Sequence, residues 1–188
     1  SKLGRFNFDV LHQGCRYGTF ELRIGGVHNV YNALAAMCVC HQLGVQAEQI
    51  GPALLSFSGA QRRLTFKASL SGITVMDDYA HHPTEIKASL QAIRQRFADR
   101  RILCVFQPHQ YSRTRFLLDD FAESFKLADI TIVPEIYFVR DTQESKKEVN
   151  AEVLVGKICR QGCQAVFIND FDGICQYLKN NTQPGDLV

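Results

Sequence analysis

From about residue 60 to the end, short apolar runs alternate with longer amphipathic stretches, and that alternation constrains the fold more than any other feature of the chain. Strands fit Leu64–Leu70 and Ile73–Asp77, joined across Ser71-Gly72, and then Ile102–Gln107, Ile130–Pro134 and Ala165–Ile168. Helices fit Pro83–Phe97, Phe116–Ala128, Ala151–Gln161 and Asp172–Asn180. In the first of these Ile86, Leu90, Ile93 and Phe97 recur at helical spacing, and Pro83 suits a first helical position because its missing N–H would be unpaired there anyway. Short apolar strands separated by amphipathic helices need cover on both faces, so the expected class is α/β, with a mostly parallel sheet between helices. Gly185-Asp186-Leu187-Val188 reads as a turn entering a further strand, and on that basis the sequence is expected to stop short of its domain's end.

The first 59 residues have a different pattern. Phe6, Phe8 and Val10 share one face of an alternating run, and Phe20, Leu22 and Ile24 form a second, which together suggest two antiparallel strands. A helical period then sets in at Val30, with Val30, Leu34, Met37, Cys38 and His41 on one stripe ending at Gly44. A second helix fits Ala47–Phe57, and Ser56-Phe57-Ser58-Gly59 reads as a linker. The charged stretch Arg140–Asn150 is expected to be a solvated loop.

Composition removes several classes of function. Lys and Arg number 21 against 19 Asp and Glu, a net charge of +2, and no basic stripe points to nucleic acid or an acidic membrane. The longest apolar run, Ala33–Cys40, falls far below the ~20 residues of a membrane span, and no basic-then-apolar leader is expected. The seven cysteines include no C-x-x-C pair and sit mostly in apolar runs such as Met37-Cys38-Val39-Cys40. They are expected to be buried free thiols in a reducing, cytoplasmic setting.

Ligands of an open parallel sheet bind beyond the carboxyl ends of its strands. Two polar segments fall there: Asp77-Asp78-Tyr79-Ala80-His81-His82-Pro83 and Gln107-Pro108-His109-Gln110-Tyr111-Ser112-Arg113-Thr114-Arg115. Each precedes a helix N-terminus, whose free N–H groups favour anions. Asp77, Asp78, His81 and His82 match no metal-ligand spacing, so no metal is assigned to them. Arg62-Arg63, just after the linker, offers cations suited to a phosphate. There is no G-x-x-x-x-G-K-[ST], G-x-G-x-x-G or G-x-S-x-G motif. The residues alone thus define an α/β domain with an anion-friendly site and name no reaction.

Four segments carry a resemblance beyond this: Gly26-Val27-His28-Asn29-Val30-Tyr31-Asn32-Ala33-Leu34-Ala35-Ala36, Gln61-Arg62-Arg63, DDYAHHPTEI from Asp77, and FQPHQYSRTR from Phe106. In order and spacing they resemble the Mur ligases, the ATP-dependent amide ligases of peptidoglycan precursor synthesis. Within that family, the pairing of DDYAHHPTEI with QPHxYxRT is most similar to the branch that joins L-alanine to UDP-N-acetylmuramate through an acyl phosphate. The resemblance implies that residues 1–59 are the tail of a central ATPase domain. Residues 60–188 would form a Rossmann-like C-terminal domain that takes the amino acid. The phosphate loop, most magnesium ligands and a UDP-binding domain would lie upstream, so this piece alone is expected to be inactive.

Roles follow from the resemblance residue by residue. His28, Asn29 and Asn32 would hold adenine. Arg63, or its neighbour Arg62, would reach the γ-phosphate across the domain boundary. Asp78 would meet the ribose or orient its own loop. Tyr79, His81, His109 and Arg113 would frame L-alanine, with Arg113 on the carboxylate and His81 or His109 near the amine. Gln110 departs from the pattern, standing where the family usually carries Arg, and this loss of a cation is expected to relax selectivity toward L-serine or glycine. Two alternatives stay open at this point: a ligase that recycles murein tripeptide, and a binding module without catalysis.

Overall fold

A computed structural model describes residues 6–60 and 62–188 of the chain. They form two compact units, residues 6–60 with 91–96 and residues 62–90 with 97–188.

The first unit opens with a hairpin of β1 (Phe6–His12) and β2 (Cys15–Leu22). Its turn residues Gln13 and Gly14 have φ of +51° and +80°, as a tight hairpin turn requires. The helices α1 (Val27–Gln42) and α2 (Ala47–Ser56) follow. Phe20, Met37 and Ile50 form the core, with Phe8, Leu34 and Leu54 packed around it. The expected stripe of α1 is partly wrong. The helix starts at Val27 rather than Val30, and Ala33, Leu34, Met37 and Cys40 face inward while Cys38 is exposed. Successive helical residues turn by about 100°, so Cys38 is carried off the face that its neighbour Met37 occupies.

The expectation of buried thiols also fails. All seven cysteines are free, but Cys15, Cys38, Cys159 and Cys175 are exposed and the others half-buried. An apolar run in sequence says little about which side of its element is covered. Only at Cys104 does burial, helped by the nearby Asp78 charge, push the thiol up to about 12.

In the second unit, β3 (Thr65–Leu70) and β4 (Ile73–Asp77) pair as an antiparallel hairpin and lead into α3 (Pro83–Arg96), whose residues 91–96 count with the first unit. Then come β5 (Leu103–Val105), α4 (Tyr111–Phe116), α5 (Leu118–Ser124) and β6 (Ile130–Val133). The chain ends with α6 (Gln143–Glu148), α7 (Ala151–Arg160), β7 (Ala165–Phe167) and α8 (Phe171–Asn181). Strands β5, β6 and β7 form the expected parallel sheet in that order. Leu103, Phe121, Phe125, Ile132, Val133, Leu154 and Ile158 are fully enclosed around it. Leu187 bridges in parallel to both Thr74 and Ile102. Its carbonyl accepts from Leu103 N at 2.8 Å, and Val188 N donates to the Thr74 carbonyl at 2.8 Å. The last residues thus lie between β4 and β5 and join hairpin to sheet.

Two expectations are corrected here. The helix expected over Phe116–Ala128 is really α4 and α5, broken at Leu117 (φ −106°, ψ 22°), and Phe116 is 86% exposed. The stretch 140–150 is mostly exposed, with Val149 buried, and contains a helix, α6, capped by Thr142 Oγ1 accepting from Ser145 N at 3.2 Å. Charged composition alone does not separate a solvated helix from a loop. Among the described residues, no helix is long and apolar enough to cross a membrane.

Candidate functional site

The loop after β4 is tied down by two carboxylates. Asp78 accepts from Leu64 N at 2.8 Å through one oxygen, and from Ala80 N at 2.8 Å and Ser89 Oγ at 3.1 Å through the other. Both of its oxygens are therefore used within the fold. Glu85, three residues into the helix from His82, reaches back to accept from the amides of His81 (3.1 Å) and His82 (3.3 Å). That is one half of a capping box. Its Oε2 also lies 3.4 Å from His81 Nδ1, and its Oε1 lies 3.6 Å from Arg63 Nη1. Burial opposes the Glu85 charge, but these amides and the His81 and Arg63 charges outweigh it and hold its pKa below the usual value.

Arg62 enters from the other side of the same loop. Its carbonyl accepts from Tyr79 N at 2.8 Å, its guanidinium lies 4.7 Å above the Tyr79 ring, and its Nε is 3.5 Å from Asp77. A cation over an exposed ring is a weak restraint, worth about 0.5–1 kcal/mol. Tyr79 is itself 5.3 Å from the His81 ring.

The loop after β5 is held from a distance. Tyr137 N donates to the Pro108 carbonyl at 2.9 Å and Gln110 N to the Tyr137 carbonyl at 3.1 Å, which sets the His109 ring 5.2 Å from that of Tyr137. Asp141 caps α4, accepting from Tyr111 N at 2.5 Å, Ser112 N at 3.2 Å and Ser112 Oγ at 2.6 Å. Buried Tyr111 donates its hydroxyl to Glu135 at 2.9 Å; burial first, then Glu135, pushes its pKa up to about 12. Gln110 has a φ of +69°, a region that non-glycine residues avoid.

His109 lies within electrostatic reach of charges from the other loop. Burial lowers its pKa, and the charges of His81, Arg113 and Arg62 lower it further. Arg62, His81, His109 and Arg113 thus share one field, at the carboxyl ends of β4 and β5. Arg63 joins them through Glu85. Such a cluster repels cations and suits an anionic group.

His28, Asn29 and Asn32 lie in the first unit, at the start of α1. Asn29 Nδ2 donates to the Gly25 carbonyl at 2.6 Å, and Asn32 Nδ2 reaches Asn29 Oδ1 at 3.4 Å. The imidazole of His28 folds over Gly26, where an added Cβ would come within 2.4 Å of Cε1. Gly26, with φ of +97°, is the one residue type that leaves this space. No group of three His, Cys, Asp or Glu among the described residues fits a metal, so magnesium is assigned to no residue here.

Sequence reasoning missed Glu85, Glu135, Tyr137 and Asp141 as parts of the site. Glu85 had a signal, three residues after a loop histidine and just ahead of an apolar run. The other three act on residues 24 to 30 positions away, and nothing local announces them.

An α/β unit that gathers arginines and histidines beyond its strand ends has the layout in which parallel-sheet domains place their ligand sites. Residues 62–188 match the family described as Mur ligase, glutamate ligase domain, and the chain belongs to the Mur ligase family. It is 45% identical over 185 residues to the UDP-N-acetylmuramate–L-alanine ligase of Caldanaerobacter subterraneus subsp. tengcongensis, covering 98% of this chain and 40% of that protein. The crystal structure of UDP-N-acetylmuramate–alanine ligase from Thermotoga maritima superposes with a TM-score of 0.78 at 27% identity, over 98% of this chain and 39% of that one. A murein peptide ligase from Psychrobacter arcticus gives 0.70 at 26%, over 100% and 38%. The chain therefore spans about two fifths of the length of the relatives it matches.

Proposed function

We propose that this chain is the C-terminal part of an ATP-dependent ligase that joins L-alanine to UDP-N-acetylmuramate in the cytoplasm. Residues 1–59 would belong to its ATPase domain and residues 60–188 to its amino-acid-binding domain. The observation that carries the reading is the convergence of Arg62, His81, His109 and Arg113 at one end of the sheet, reported by the field at His109. The name carried by the relative at 45% identity supports the choice of substrates.

In the complete polypeptide ATP would activate the lactyl carboxylate of UDP-N-acetylmuramate as an acyl phosphate, which the amine of L-alanine attacks. This chain's residues bind and orient. Arg113 takes the L-alanine carboxylate, since a guanidinium matches a carboxylate in two-pronged fashion. Tyr79, His81 and His109 surround the amine, which must lose a proton before it can attack. A neutral imidazole, at His81 or His109, suits that transfer. Arg63, half-exposed and 3.6 Å from Glu85, is the cation offered to transferring phosphate. Of the two roles open to Asp78, loop orientation is favoured, because protein donors already engage both its oxygens. His28, Asn29 and Asn32 supply the amides and ring for adenine.

The test is phosphate release by the complete polypeptide with ATP, magnesium, UDP-N-acetylmuramate and L-alanine, each omitted in turn. Release that requires all of them supports the ligase. Release that requires murein tripeptide in place of L-alanine would assign the chain to the recycling branch, and no release from a folded protein would favour a binding module.

A further inference from the structure

His81 Nδ1 lies between two oxygens, the Tyr79 carbonyl at 3.0 Å and Glu85 Oε2 at 3.4 Å. A carbonyl and an ionised carboxylate can only accept, so the ring nitrogen between them has to carry the proton. The second ring nitrogen is then the one with a free lone pair. The Glu85 carboxylate is itself fixed, because the same Oε2 accepts from the His81 and His82 amides at the head of α3. His109 differs. Its ring faces the Tyr137 ring, and among the described residues no carboxylate is paired with it.

We propose that Glu85 is a positioning residue: with the Tyr79 carbonyl it locks His81 as the Nδ1–H tautomer and so presents Nε2 as the base for the amine of the incoming amino acid. The inference rests on the ligase reading and goes further by choosing between the two histidines. In the step it serves, the ammonium N–H bond breaks, its electron pair stays on nitrogen as the nucleophile, and the proton ends on His81 Nε2. The imidazolium so formed keeps its Nδ1–H directed at Glu85, which spreads the new charge. This is the orienting logic by which a carboxylate fixes a catalytic imidazole. The other groups facing His81 are the Tyr79 ring, 5.3 Å away, and His109, whose proton affinity His81 lowers.

The first test uses this 188-residue chain and needs no ligase activity. With histidine labelled with ¹⁵N, long-range proton–nitrogen correlation at about pH 9, where imidazoles are neutral, reports which nitrogen of His81 is protonated. The wild type is expected to show Nδ1–H. Glu85→Gln, whose amide oxygen still accepts and still caps the helix, is expected to keep most of that form. Glu85→Ala is expected to shift His81 toward Nε2–H. An Nε2–H wild type, or an alanine variant indistinguishable from wild type, overturns the proposal.

The second test is a double-mutant cycle in the complete polypeptide. Glu85→Ala should slow amide formation at least tenfold when His81 is present and less than twofold in a His81→Asn background. Equal slowing in both backgrounds would mean that Glu85 does not act through His81. A wild type that forms no amide would overturn the ligase reading instead, and the tautomer measurement would still decide the placement of Glu85.

Discussion

The loop after β4 is shaped from within, whereas the loop after β5 is shaped from outside. In the first, Asp78 accepts from Ala80 two residues on, and Glu85 accepts from His81 and His82 four and three residues back. In the second, Asp141, Glu135 and Tyr137 reach back across 24 to 30 residues to hold Tyr111, Ser112, His109 and Gln110. Both loops follow the carboxyl ends of their strands, which Leu187 bridges, and both carry residues of the proposed site. They differ in what must fold first. The loop after β4 can form as soon as α3 does, while the loop after β5 needs β6 and the segment beyond it in place. Long-range contacts of that kind cost more chain entropy to close.

The sharpest way to test the pairing of the two loops is to remove the arginine that the second contributes. Arg113→Ala in the complete polypeptide should raise the KM for L-alanine about 10- to 100-fold, the equivalent of roughly 1.5–3 kcal/mol for a charged hydrogen bond, and leave the KM for ATP nearly unchanged. Equal effects on both substrates, measured by steady-state phosphate release, would make Arg113 a structural residue.

Next in size is the support that both loops share. Asp186 is almost fully buried between the strands that carry them and takes Arg101 Nη2 at 2.6 Å and Gln183 N at 2.8 Å. The Arg101 hydrogen bond leads the effects that hold its pKa below the ordinary 3.8; burial opposes them. A carboxylate whose folded pKa is depressed stabilises the fold above its unfolded pKa and loses that contribution as pH falls through the folded value. Stability should therefore be flat near neutrality and decline as pH drops below about 4. Asp186→Asn should cost roughly 1.5–3 kcal/mol at pH 7 and shallow that acid decline. Urea midpoints at pH 7 and pH 3 check both parts, and an unchanged acid slope would remove Asp186 from the explanation.

Asp141→Ala bears directly on the contrast. Loss of an N-terminal cap costs about 1 kcal/mol, and because the capped turn carries Arg113, the KM for L-alanine should rise severalfold in the same direction as for Arg113→Ala. Burial works against the Asp141 charge, but the Ser112 hydroxyl and amide, the Tyr111 amide and the Arg113 charge hold its pKa low. Asp141→Asn, which can still accept, should recover most of the stability. If Asp141→Ala leaves the L-alanine KM untouched, the loop after β5 does not need its distant tether.

The same contrast explains what could be read from sequence. The parallel sheet, the hairpin Thr65–Asp77 and the start of α3 at Pro83 were legible because each rests on local signals: apolar period, a Gly turn and a proline at the first helical position. The break at Leu117 was not, because α4 begins at Tyr111 under a cap supplied by Asp141. Nor were the exposed thiols, because which face of a helix is covered depends on what packs against it. Glu85 lay inside a motif that was read for its histidines; its capping geometry was present in the spacing, but its contact with His81 Nδ1 required coordinates.

The smallest expected effect isolates the strain that a distant tether imposes. Gln110 is held at φ +69° because its N–H is committed to Tyr137 at 3.1 Å and its carbonyl accepts from Thr114 N at 3.0 Å and Thr114 Oγ1 at 2.8 Å. A non-glycine residue pays about 1–3 kcal/mol for such a conformation. Glycine would relieve it, offset by the roughly 0.5–1 kcal/mol of extra freedom glycine has when unfolded. Gln110→Gly should therefore stabilise the chain by about 1 kcal/mol, read as a rise in the urea midpoint with no change in slope. In an Asp141→Ala background the gain should shrink, because a loosened α4 no longer forces residue 110 into that region. A full gain in both backgrounds would show that the strain at Gln110 is set by the Tyr137 ladder and not by the Asp141 cap.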